Sequence, residues 1–394
     1  MSARRVLFVE LNEDGTTGGS HVALLDIVRH LDRRRYEPVV LFYQENDFVE
    51  RVRALGGEAH VWTAERRLER GSGQPRLLRV AARPLTLAGA IRRRVRFLRD
   101  AGISLVHVNN SPSFAYEDWL PAARIAGVPI VSHVRGELFR PGRLTSRLLV
   151  PRFDRLVAIS RYVETIPRAV GVPARSIELI HDGVDLAHVR DRAARDDPAA
   201  VRAALGVAPD ETLAVMVGHL RAWKGQHVVL DAMRRLDPAL LSRLRVVFAG
   251  APDRFSPGYH ERLVAECAAP PLAGRATLLG PRSDAPALMQ AADVVLHAST
   301  VPEPFGLVVV EAMALGRPVI ASALGGPGEV LEGDCGWTFD PAQPQQLAAC
   351  LEAVIAHPAQ ARRVGAAARV RAESFDVRDT VRRLERLYAE LGVA

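Results

Sequence analysis

Cysteine is scarce in this chain, and lysine is almost absent. The 394 residues include three cysteines, Cys267, Cys335 and Cys350, which lie far apart and form no Cys-x-x-Cys pair. This spacing excludes a disulfide framework and a cysteine-based zinc site, and it is typical of a protein from a reducing cytosol. We therefore expect a cytoplasmic protein.

Long hydrophobic runs are also missing. No apolar stretch approaches the ~20 residues that a membrane-spanning helix needs. The first apolar run, residues 6–9, has the length of a strand and no small-residue cleavage site follows it, which argues against a secretory signal. With 48% hydrophobic and 25% charged residues, the composition excludes wholesale disorder, and 394 residues suit two domains of similar size.

The cations are almost all arginine. The net charge is +7, and 51 of the 52 basic residues are Arg. Such a bias is typical of compositional drift at positions where either cation serves. The single lysine, Lys224, therefore indicates a place where a compact ammonium is needed and a planar guanidinium is not equivalent. The alternative is that one lysine survived by chance.

Short apolar runs alternate with amphipathic stretches along most of the chain. The runs are rich in Val, Ile and Leu and are continuous, which predicts strands covered on both faces of a parallel sheet. They lie at 5–11, 37–43, 104–108, 129–133, 154–159, 213–218, 244–250, 276–279, 293–297 and 318–321. Helical periodicity between them, for example at 20–31 and 284–291, predicts an α/β protein with parallel sheets.

The alternation breaks at 186–210. This segment is charged and rich in alanine and has no strand pattern, so we interpret it as the linker between two doubly wound domains. After the last strand pattern, apolar residues at helical spacing predict a terminal amphipathic helix over 376–391.

A basic segment at 66–99 holds eleven arginines and a single acid, Glu69, with apolar residues interleaved. This pattern predicts docking to an anionic membrane surface or to an anionic acceptor. The alternative is an ordinary solvated helix face that the arginine drift has enriched. No recognition motif for nucleic acid accompanies the segment, so we expect no nucleic-acid partner.

Two candidate anion sites follow predicted strands. The first is a glycine-rich turn with Gly18 and Gly19, whose backbone N–H groups can approach an anion at a helix N-terminus. The second is Arg221 with Lys224, beyond the strand at 213–218. Because open α/β sheets bind ligands at the carboxyl edge, this pair would neutralise a diphosphate. An ordinary turn and two solvated surface cations are the respective alternatives.

The sharpest pattern is a pair of glutamates around the predicted start of a helix near Phe305. Glu303 lies just before that helix, and Glu311 lies in an apolar stretch where an unpaired charge would be costly. The free N–H groups of the helix start lie between them. This suits a nucleotide sugar, with phosphates on the amides, sugar hydroxyls on Glu303 and ribose hydroxyls on Glu311. For Glu303, a helix-dipole interaction is the alternative.

The run EPFGLVVVEAMALGRPVIAS at 303–322 strongly resembles the hallmark of the family 4 retaining glycosyltransferases. The resemblance covers nearly the whole chain, with VAISRYV at 157–163, IHDGVDL at 180–186 and the base-surrounding segment at 278–299. His133 matches the active-site histidine of the family. Four positions depart from the family pattern, and in the run at 180–186 His181 and Asp182 replace a usual Pro and Asn. Pro304 replaces a usual Gly, and His219 replaces a usual Arg, which leaves either His219 or Arg221 for the phosphate-binding role.

The resemblance implies an α/β protein of the GT-B fold, with two doubly wound Rossmann-like parallel-sheet domains facing across a cleft. It implies that residues 1–190 bind the acceptor and residues 191–375 bind the nucleotide-sugar donor. The terminal helix within 376–394 would pack back onto the N-terminal domain. The basic segment 66–99 would then serve a peripheral contact with the inner face of an anionic membrane.

The implied reaction is a retaining transfer of a sugar from a nucleotide-diphosphate sugar to a hydroxyl of a glycan, lipid-linked or small-molecule acceptor. No metal, other cofactor or fixed protein nucleophile is expected. The expected catalytic residues are His133, Arg221, Lys224 and Glu303. The expected donor-binding residues are Gly18, Gly19, Arg221, Lys224, Arg282, Glu303, Phe305, Gly306, Leu307 and Glu311.

Three other classes share parts of this pattern. A GT-B sugar-nucleotide epimerase or hydrolase would share the fold and the donor chemistry. A dinucleotide oxidoreductase is disfavoured because the glycine-rich turn lacks the Gly-x-Gly-x-x-Gly fingerprint. A non-catalytic α/β binding protein is disfavoured because no export signal is recognised.

Overall fold

The computed structural model describes residues 3–10, 18–63, 76–112, 118–136, 144–253 and 256–394. Two compact units divide the chain, and we call them unit 1 and unit 2. Unit 1 comprises Met1–Gly183 with Val377–Ala394, and unit 2 comprises Val184–Asp376. Each unit is built around its own parallel sheet.

Unit 1 holds a seven-stranded parallel sheet in the order β3-β2-β1-β4-β5-β6-β7. Its strands are β1 (Arg4–Glu10), β2 (Tyr36–Phe42), β3 (Glu58–Val61), β4 (Ile103–Val108), β5 (Ile130–Val134), β6 (Arg155–Ala158) and β7 (Ile177–Leu179). The helices that connect them are α1 (Gly19–His30), α2 (Asp47–Ala54), α3 (Arg76–Asp100), α4 (Trp119–Ala126), α5 (Leu144–Leu149) and α6 (Arg161–Ala169). The central strands are buried on both faces, as their continuous apolar runs predict.

Unit 2 holds a six-stranded parallel sheet in the order β10-β9-β8-β11-β12-β13. Its strands are β8 (Thr212–Val217), β9 (Leu244–Ala249), β10 (Ala276–Gly280), β11 (Val294–His297), β12 (Val319–Ser322) and β13 (Trp337–Phe339). Its helices are α7 (Leu186–Ala193), α8 (Pro198–Ala204), α9 (Gln226–Met233), α10 (Pro238–Leu241), α11 (Pro257–Ala268), α12 (Ala285–Ala291), α13 (Leu307–Ala314), α14 (Gly326–Val330), α15 (Pro344–Ala356) and α16 (Pro358–Ala372).

All ten predicted strands are present, and their ends fall within one residue of the prediction. The three strands that the sequence analysis did not predict are β3, β7 and β13, which lie at the edges of the two sheets. Each has only three or four residues. An edge strand packs against fewer neighbours and needs less apolar surface, so its sequence signal is weak.

The last helix, α17 (Val377–Glu390), follows unit 2 in the chain and belongs to unit 1. Its buried residues join the apolar core around β1 and α1; they are Val377, Val381, Leu384, Leu387 and Tyr388. The phenol of Tyr36 on β2 donates hydrogen bonds to the backbone carbonyls of Glu385 and Val393. The terminal segment thus completes the core of a sheet that lies some 200 residues earlier in the sequence.

The basic segment is not a uniform cationic surface. Residues 66–75 lie outside the described residues, and α3 carries the rest of the segment. Arg92 and Arg96 are exposed, whereas Arg94 is only 2% exposed. The guanidinium of Arg94 lies 2.9 Å from the carboxylate of Asp118 and donates to the hydroxyl of Tyr43 at 3.3 Å. Arg94 is therefore a structural cation, which corrects the interpretation of the whole run as a surface patch.

Within the parts of the chain that the structure describes, no helix combines the length and the apolar character that crossing a bilayer requires.

Candidate active site

Two loops at the carboxyl edge of the sheet in unit 2 are held together by a glycine. The loop after β8 passes through a short 3-10 helix, Ala222–Lys224, and reaches α9 through Gly225 at φ +81°. A Cβ at this position would lie 1.9 Å from the carbonyl oxygen of Ala298, in the loop after β11. The amide of Thr300 also donates to the carbonyl of Trp223 at 2.8 Å. The close backbone approach brings side chains from both loops into contact.

Lys224 and Glu303 meet across these two loops. The ammonium Nζ of Lys224 lies 3.0 Å from Oε1 and 2.8 Å from Oε2 of Glu303. Their side chains are 19% and 15% exposed. The same ammonium lies 4.3 Å from the ring centroid of Trp223, within range of a cation–π interaction. The sequence predicts phosphate contacts for Lys224 and sugar contacts for Glu303, and in the structure the two residues are paired.

Glu303 is held as a carboxylate. Burial by itself would raise the pKa of Glu303, but the charge of Lys224 and the adjacent imidazole of His297 hold that pKa well below its usual value. The hydroxyl of Ser299 donates to Oε2 of Glu303 at 2.9 Å. A permanently ionised carboxylate accepts hydrogen bonds and donates none, so Glu303 suits the hydroxyl groups of a ligand.

The backbone around Glu303 is fixed by two further glycines. A Cβ on Gly325 would lie 2.2 Å from the carbonyl oxygen of Glu303, and a Cβ on Gly326 would lie 2.6 Å from Cα of Phe305. The amide of Gly326 donates to the carbonyl of Glu303 at 2.8 Å. These contacts require glycine, and they place Glu303 directly before the start of α13.

The helix that carries the second glutamate begins at Leu307, two residues after its predicted start near Phe305. Gly306, at φ +93°, is its N-cap. The side chain of Phe305 is 2% exposed and packs edge-on against Phe375, so this residue would contact a donor through its backbone. Glu311 is half-buried between the buried residues of the helix.

The remaining cations predicted for unit 2 lie at different depths. Nε of Arg221 lies 3.5 Å from Oδ2 of Asp253, and the side chain of Arg221 is 23% exposed. Arg282 is more exposed and pairs with Asp284, two residues along the chain. The alternative phosphate residue His219 is also exposed. Arg221 is thus the most buried of the three candidates.

In unit 1, the carboxyl edge of the sheet carries a buried polar cluster that the sequence analysis missed. Glu10 ends β1 and accepts hydrogen bonds from the side-chain amides of Asn109 and Asn110. Arg135, which follows β5, donates to the carbonyl of Asn109 at 2.9 Å and forms a buried ion pair with Asp182. The only sequence signal was a polar residue directly after each buried strand.

This cluster has unused hydrogen-bonding capacity. Four buried polar atoms have no hydrogen-bond partner among the residues described; they are Asn109 Oδ1, His133 Nε2, Arg135 Nη2 and Asp182 Oδ1. Buried polar groups in proteins are usually hydrogen-bonded, because leaving one unpaired costs free energy. Unpaired donors and acceptors together are what a ligand with several hydroxyl groups can satisfy.

His133 lies in this cluster, on β5, and is completely buried. Its Nδ1 lies 2.7 Å from Nε2 of His107 on β4, and Nδ1 of His107 lies 2.5 Å from the hydroxyl of Tyr388 on α17. Burial and the charge of Arg135 lower the pKa of His107 to about 3 and hold the pKa of His133 well below its usual value. Both imidazoles are therefore neutral at neutral pH.

The glycine-rich turn of unit 1 is described only at its end. Gly18 is the N-cap of α1, and Gly19 is the first residue of that helix. Among the described residues, no atom lies within 4 Å of a Cβ built on Gly18. Residues 11–17 of the turn lie outside the described residues.

Comparison with known families covers both units. The family model described as "Glycosyl transferases group 1" matches residues 199–371, within unit 2. The model described as "Glycosyltransferase Family 4" matches residues 17–188, most of which lie in unit 1.

Individual relatives agree with the family models. The D-inositol 3-phosphate glycosyltransferase of Rhodococcus opacus (strain B4) is 31% identical over 262 residues, which are 64% of this chain and 57% of the relative. The protein of the same name from Mycobacterium sp. (strain JLS) is 39% identical over 171 residues, which are 43% of this chain and 36% of the relative. The matched region thus spans 57% or less of the length of these two curated relatives.

Among solved structures, Anabaena Alr3699/HepE in complex with UDP and glucose has a TM-score of 0.78 to this chain. The two proteins are 25% identical, and the match covers 98% of this chain and 100% of that one.

Proposed function

We propose that this chain, which belongs to glycosyltransferase family 4 and has the GT-B fold, transfers a sugar from a nucleotide-diphosphate sugar to an acceptor hydroxyl. The observation that carries this proposal is the paired Lys224 and Glu303 beside the start of α13, at the carboxyl edge of the sheet in unit 2. That edge is where open α/β sheets bind ligands. The HepE structures contain UDP, with glucose or as UDP-glucose, which makes a UDP-sugar the first donor to test.

Different residues of unit 2 contact different parts of the proposed donor. The diphosphate lies against Arg221, Lys224 and the backbone N–H groups of Gly306 and Leu307. Glu303 accepts hydrogen bonds from the hydroxyls of the sugar, and Glu311 accepts them from the ribose. As the bond between sugar and phosphate breaks, negative charge grows on the departing diphosphate. The fixed cations and amides stabilise that charge most strongly in the transition state.

The finer features of the reaction are part of this proposal. We take the transfer to retain the anomeric configuration and to need no metal, with Arg221 and Lys224 supplying the positive charge. The acceptor binds to the polar cluster of unit 1 around His133 and Arg135, whose unpaired donors and acceptors suit hydroxyl groups. The curated relatives are named for D-inositol 3-phosphate, so a phosphorylated polyol is the first acceptor to test.

A donor panel tests the proposal. UDP-, GDP-, ADP- and TDP-sugars are added singly in a thermal-shift assay, because a ligand that binds only the folded state raises the apparent stability. The donor that binds is then incubated with the acceptor, and proton NMR of the product reports the anomeric configuration. We expect transfer with retention that survives EDTA. Inversion would overturn the retaining mechanism, and loss of transfer with EDTA would overturn metal independence.

The same incubation distinguishes a transferase from the alternative, a sugar-nucleotide epimerase or hydrolase. An epimerase or hydrolase would change the donor in the absence of any acceptor, whereas a transferase needs the acceptor for rapid turnover. The matched control is Lys224→Ala, which should be strongly impaired in either case. Rapid epimerisation or hydrolysis of the donor alone, without transfer, would contradict the proposed function.

We extend the proposal to a peripheral contact between the exposed arginines of α3 and an anionic membrane. Each exposed arginine near such a surface contributes about 1 kcal/mol, and the attraction decays within about a Debye length. The variant Arg92→Gln/Arg96→Gln should bind less to phosphatidylserine vesicles in co-sedimentation, and added salt should release the wild type. Donor binding should be unchanged. Vesicle binding that is negligible for the wild type at low salt would remove the membrane from this account.

A further inference from the structure

Three buried side chains form a line of hydrogen bonds through unit 1. Tyr388 on α17 contacts Nδ1 of His107 at 2.5 Å, and Nε2 of His107 contacts Nδ1 of His133 at 2.7 Å. All three residues are 0% exposed. The two imidazole rings also stack, with centroids 4.7 Å apart. At the end of the line, Nε2 of His133 has no partner among the described residues.

The number of protons in this line decides its direction. Both imidazoles are neutral, so each ring carries one N–H, and the phenol of Tyr388 carries one O–H. In one direction, Tyr388 donates to His107 and His107 donates to His133, which leaves the N–H of His133 at Nε2. In the other direction, His133 donates to His107 and His107 donates to Tyr388.

Only the first direction satisfies the tyrosine. In the second, the O–H of Tyr388 points away from His107, and no other acceptor for it is found among the described residues. A completely buried hydroxyl proton without an acceptor is costly. The first direction uses every proton of Tyr388 and His107, and it leaves a single unpaired group, the N–H at Nε2 of His133.

We propose that Tyr388 and His107 are positioning residues that hold His133 as a hydrogen-bond donor at Nε2. The inference rests on the proposed function, because it takes an oxygen atom of the bound substrate as the acceptor of that N–H. The nitrogen that bears the proton in a histidine is set by the hydrogen bond at its other nitrogen. Here that bond comes from His107, which is itself oriented by Tyr388.

The proposal excludes one role for His133. A neutral imidazole whose Nδ1 already accepts a hydrogen bond and whose Nε2 bears a proton has no free lone pair, so it cannot act as a general base. It can orient and polarise a substrate oxygen. The proposal also makes α17 part of the active site of unit 1, although this helix follows unit 2 in the chain.

The test compares two buried tyrosines that touch each other. Tyr36 and Tyr388 pack edge-to-face at 5.7 Å, and the hydroxyl of Tyr36 donates to backbone carbonyls and accepts from the guanidinium of Arg35. Tyr36→Phe therefore removes a buried hydroxyl beside α17 without touching the line, and it is the matched control for Tyr388→Phe. The readouts are the ring ¹⁵N–¹H NMR spectrum of His133 in the free protein and the kcat and KM of sugar transfer.

We expect a single Nε2–H form of His133 in the wild type and in Tyr36→Phe. In Tyr388→Phe we expect a mixture of the two tautomers and a kcat about tenfold below that of Tyr36→Phe, with KM for the donor unchanged. An Nδ1–H form in the wild type would overturn the proposal. So would a kcat or a spectrum in Tyr388→Phe that equals that of Tyr36→Phe.

A second pair of variants applies where Tyr388→Phe does not fold. In His107→Gln, the amide side chain can accept a hydrogen bond from Tyr388 and donate one to His133, whereas the side chain in His107→Leu can do neither. The single Nε2–H form should persist in His107→Gln and give way to a mixture of the two tautomers in His107→Leu, and the reverse would overturn the proposal. The spectrum needs no substrate, so it decides the proton position even if the wild type transfers no sugar and the proposed function fails.

Discussion

The carboxyl edge of the sheet in unit 2 holds an ion pair, Lys224 with Glu303, whose side chains keep 15–19% of their surface exposed. The same edge in unit 1 holds two neutral histidines and a tyrosine that are completely buried. Unit 2 thus keeps formal charges where a ligand can reach them, which suits the diphosphate of a donor. Unit 1 offers the neutral His133 beside a matched Arg135–Asp182 pair, which suits the hydroxyl groups of an acceptor. Similar sheets can carry different chemistry because the loop residues differ.

The largest predicted difference between the units is their response to acid. The folded-state pKa values of His107 and His133 lie below the usual 6.5, so the unfolded chain binds more protons as the pH falls below about 6.5. Stability is then lost at up to about 1.4 kcal/mol per pH unit for each histidine. By pH 5 the loss in unit 1 reaches up to about 4 kcal/mol. In unit 2, burial lowers the pKa of a single histidine, His227, so the loss over the same pH range is smaller. The lowered pKa of Glu303 has the same sign, but its contribution is lost only below about pH 4.5.

Hydrogen exchange resolved by peptide measures this difference. After correction for the intrinsic rates, protection should fall more in unit 1, which holds two buried histidines of lowered pKa, than in unit 2, which holds His227, between pH 7.5 and 5.5. The variant His107→Gln should reduce the response of unit 1 without abolishing it, because His133 remains. An equal loss in both units, or a loss that begins only below pH 4.5, would contradict the prediction.

The next effect is on activity. Lys224→Ala removes charge-assisted hydrogen bonds, each worth about 1.5–3 kcal/mol, so kcat/KM should fall a hundredfold or more. Lys224→Arg should restore only part of the activity, because the guanidinium fork differs in shape and reach. The matched control is Arg235→Ala, an exposed cation of the same unit. Wild-type kinetics in Lys224→Ala would remove Lys224 from the site.

Thermal stability distinguishes two consequences of Lys224→Ala, the loss of the cation beside Glu303 and the loss of a contact to the donor. Lys224→Ala also leaves the carboxylate of Glu303 without its cation, which destabilises the fold. The double variant Lys224→Ala/Glu303→Gln should recover thermal stability and no activity. Recovery of activity in the double variant would mean that the pair is structural.

A smaller effect is expected on the free energy of unfolding, and it should differ between two arginines of α3. Arg94→Gln leaves Asp118 without its ion pair and should lower the free energy of unfolding by about 2 kcal/mol. Arg92→Gln, two residues earlier and exposed, should change it by less than about 0.5 kcal/mol. Urea denaturation of both variants checks this. Equal effects would contradict the buried position of Arg94.

The smallest effect distinguishes the two glutamates by ligand. Glu311→Gln should weaken free nucleoside diphosphate and nucleotide sugar alike, by about tenfold or 1.4 kcal/mol, since both ligands carry the ribose. Glu303→Gln should spare the free nucleotide and weaken the nucleotide sugar. Titration calorimetry with both ligands decides between these outcomes. Equal losses for both ligands in both variants would disprove the division of roles.

The strands were largely predicted from the sequence, whereas the pairing of Lys224 with Glu303 was not. Continuous apolar runs predicted all ten well-buried or longer strands, because a strand covered on both faces must be apolar throughout. The edge strands β3, β7 and β13 were not predicted, because three or four partly buried residues form no recognisable apolar run. Lys224 and both glutamates were predicted as donor residues, and their roles stay a prediction.

The sequence by itself determined the alternation of strands and helices, the family, and the residues of unit 2 that lie next to glycines and helix starts. Those signals are local, since a strand, a turn and a helix N-terminus each occupy a few consecutive residues. Only the tertiary structure decided that Arg94 is buried, that Lys224 pairs with Glu303, and that His107 lies between Tyr388 and His133. These contacts join residues 26 to 281 positions apart. Such contacts depend on how sheets and helices pack, which no local pattern records.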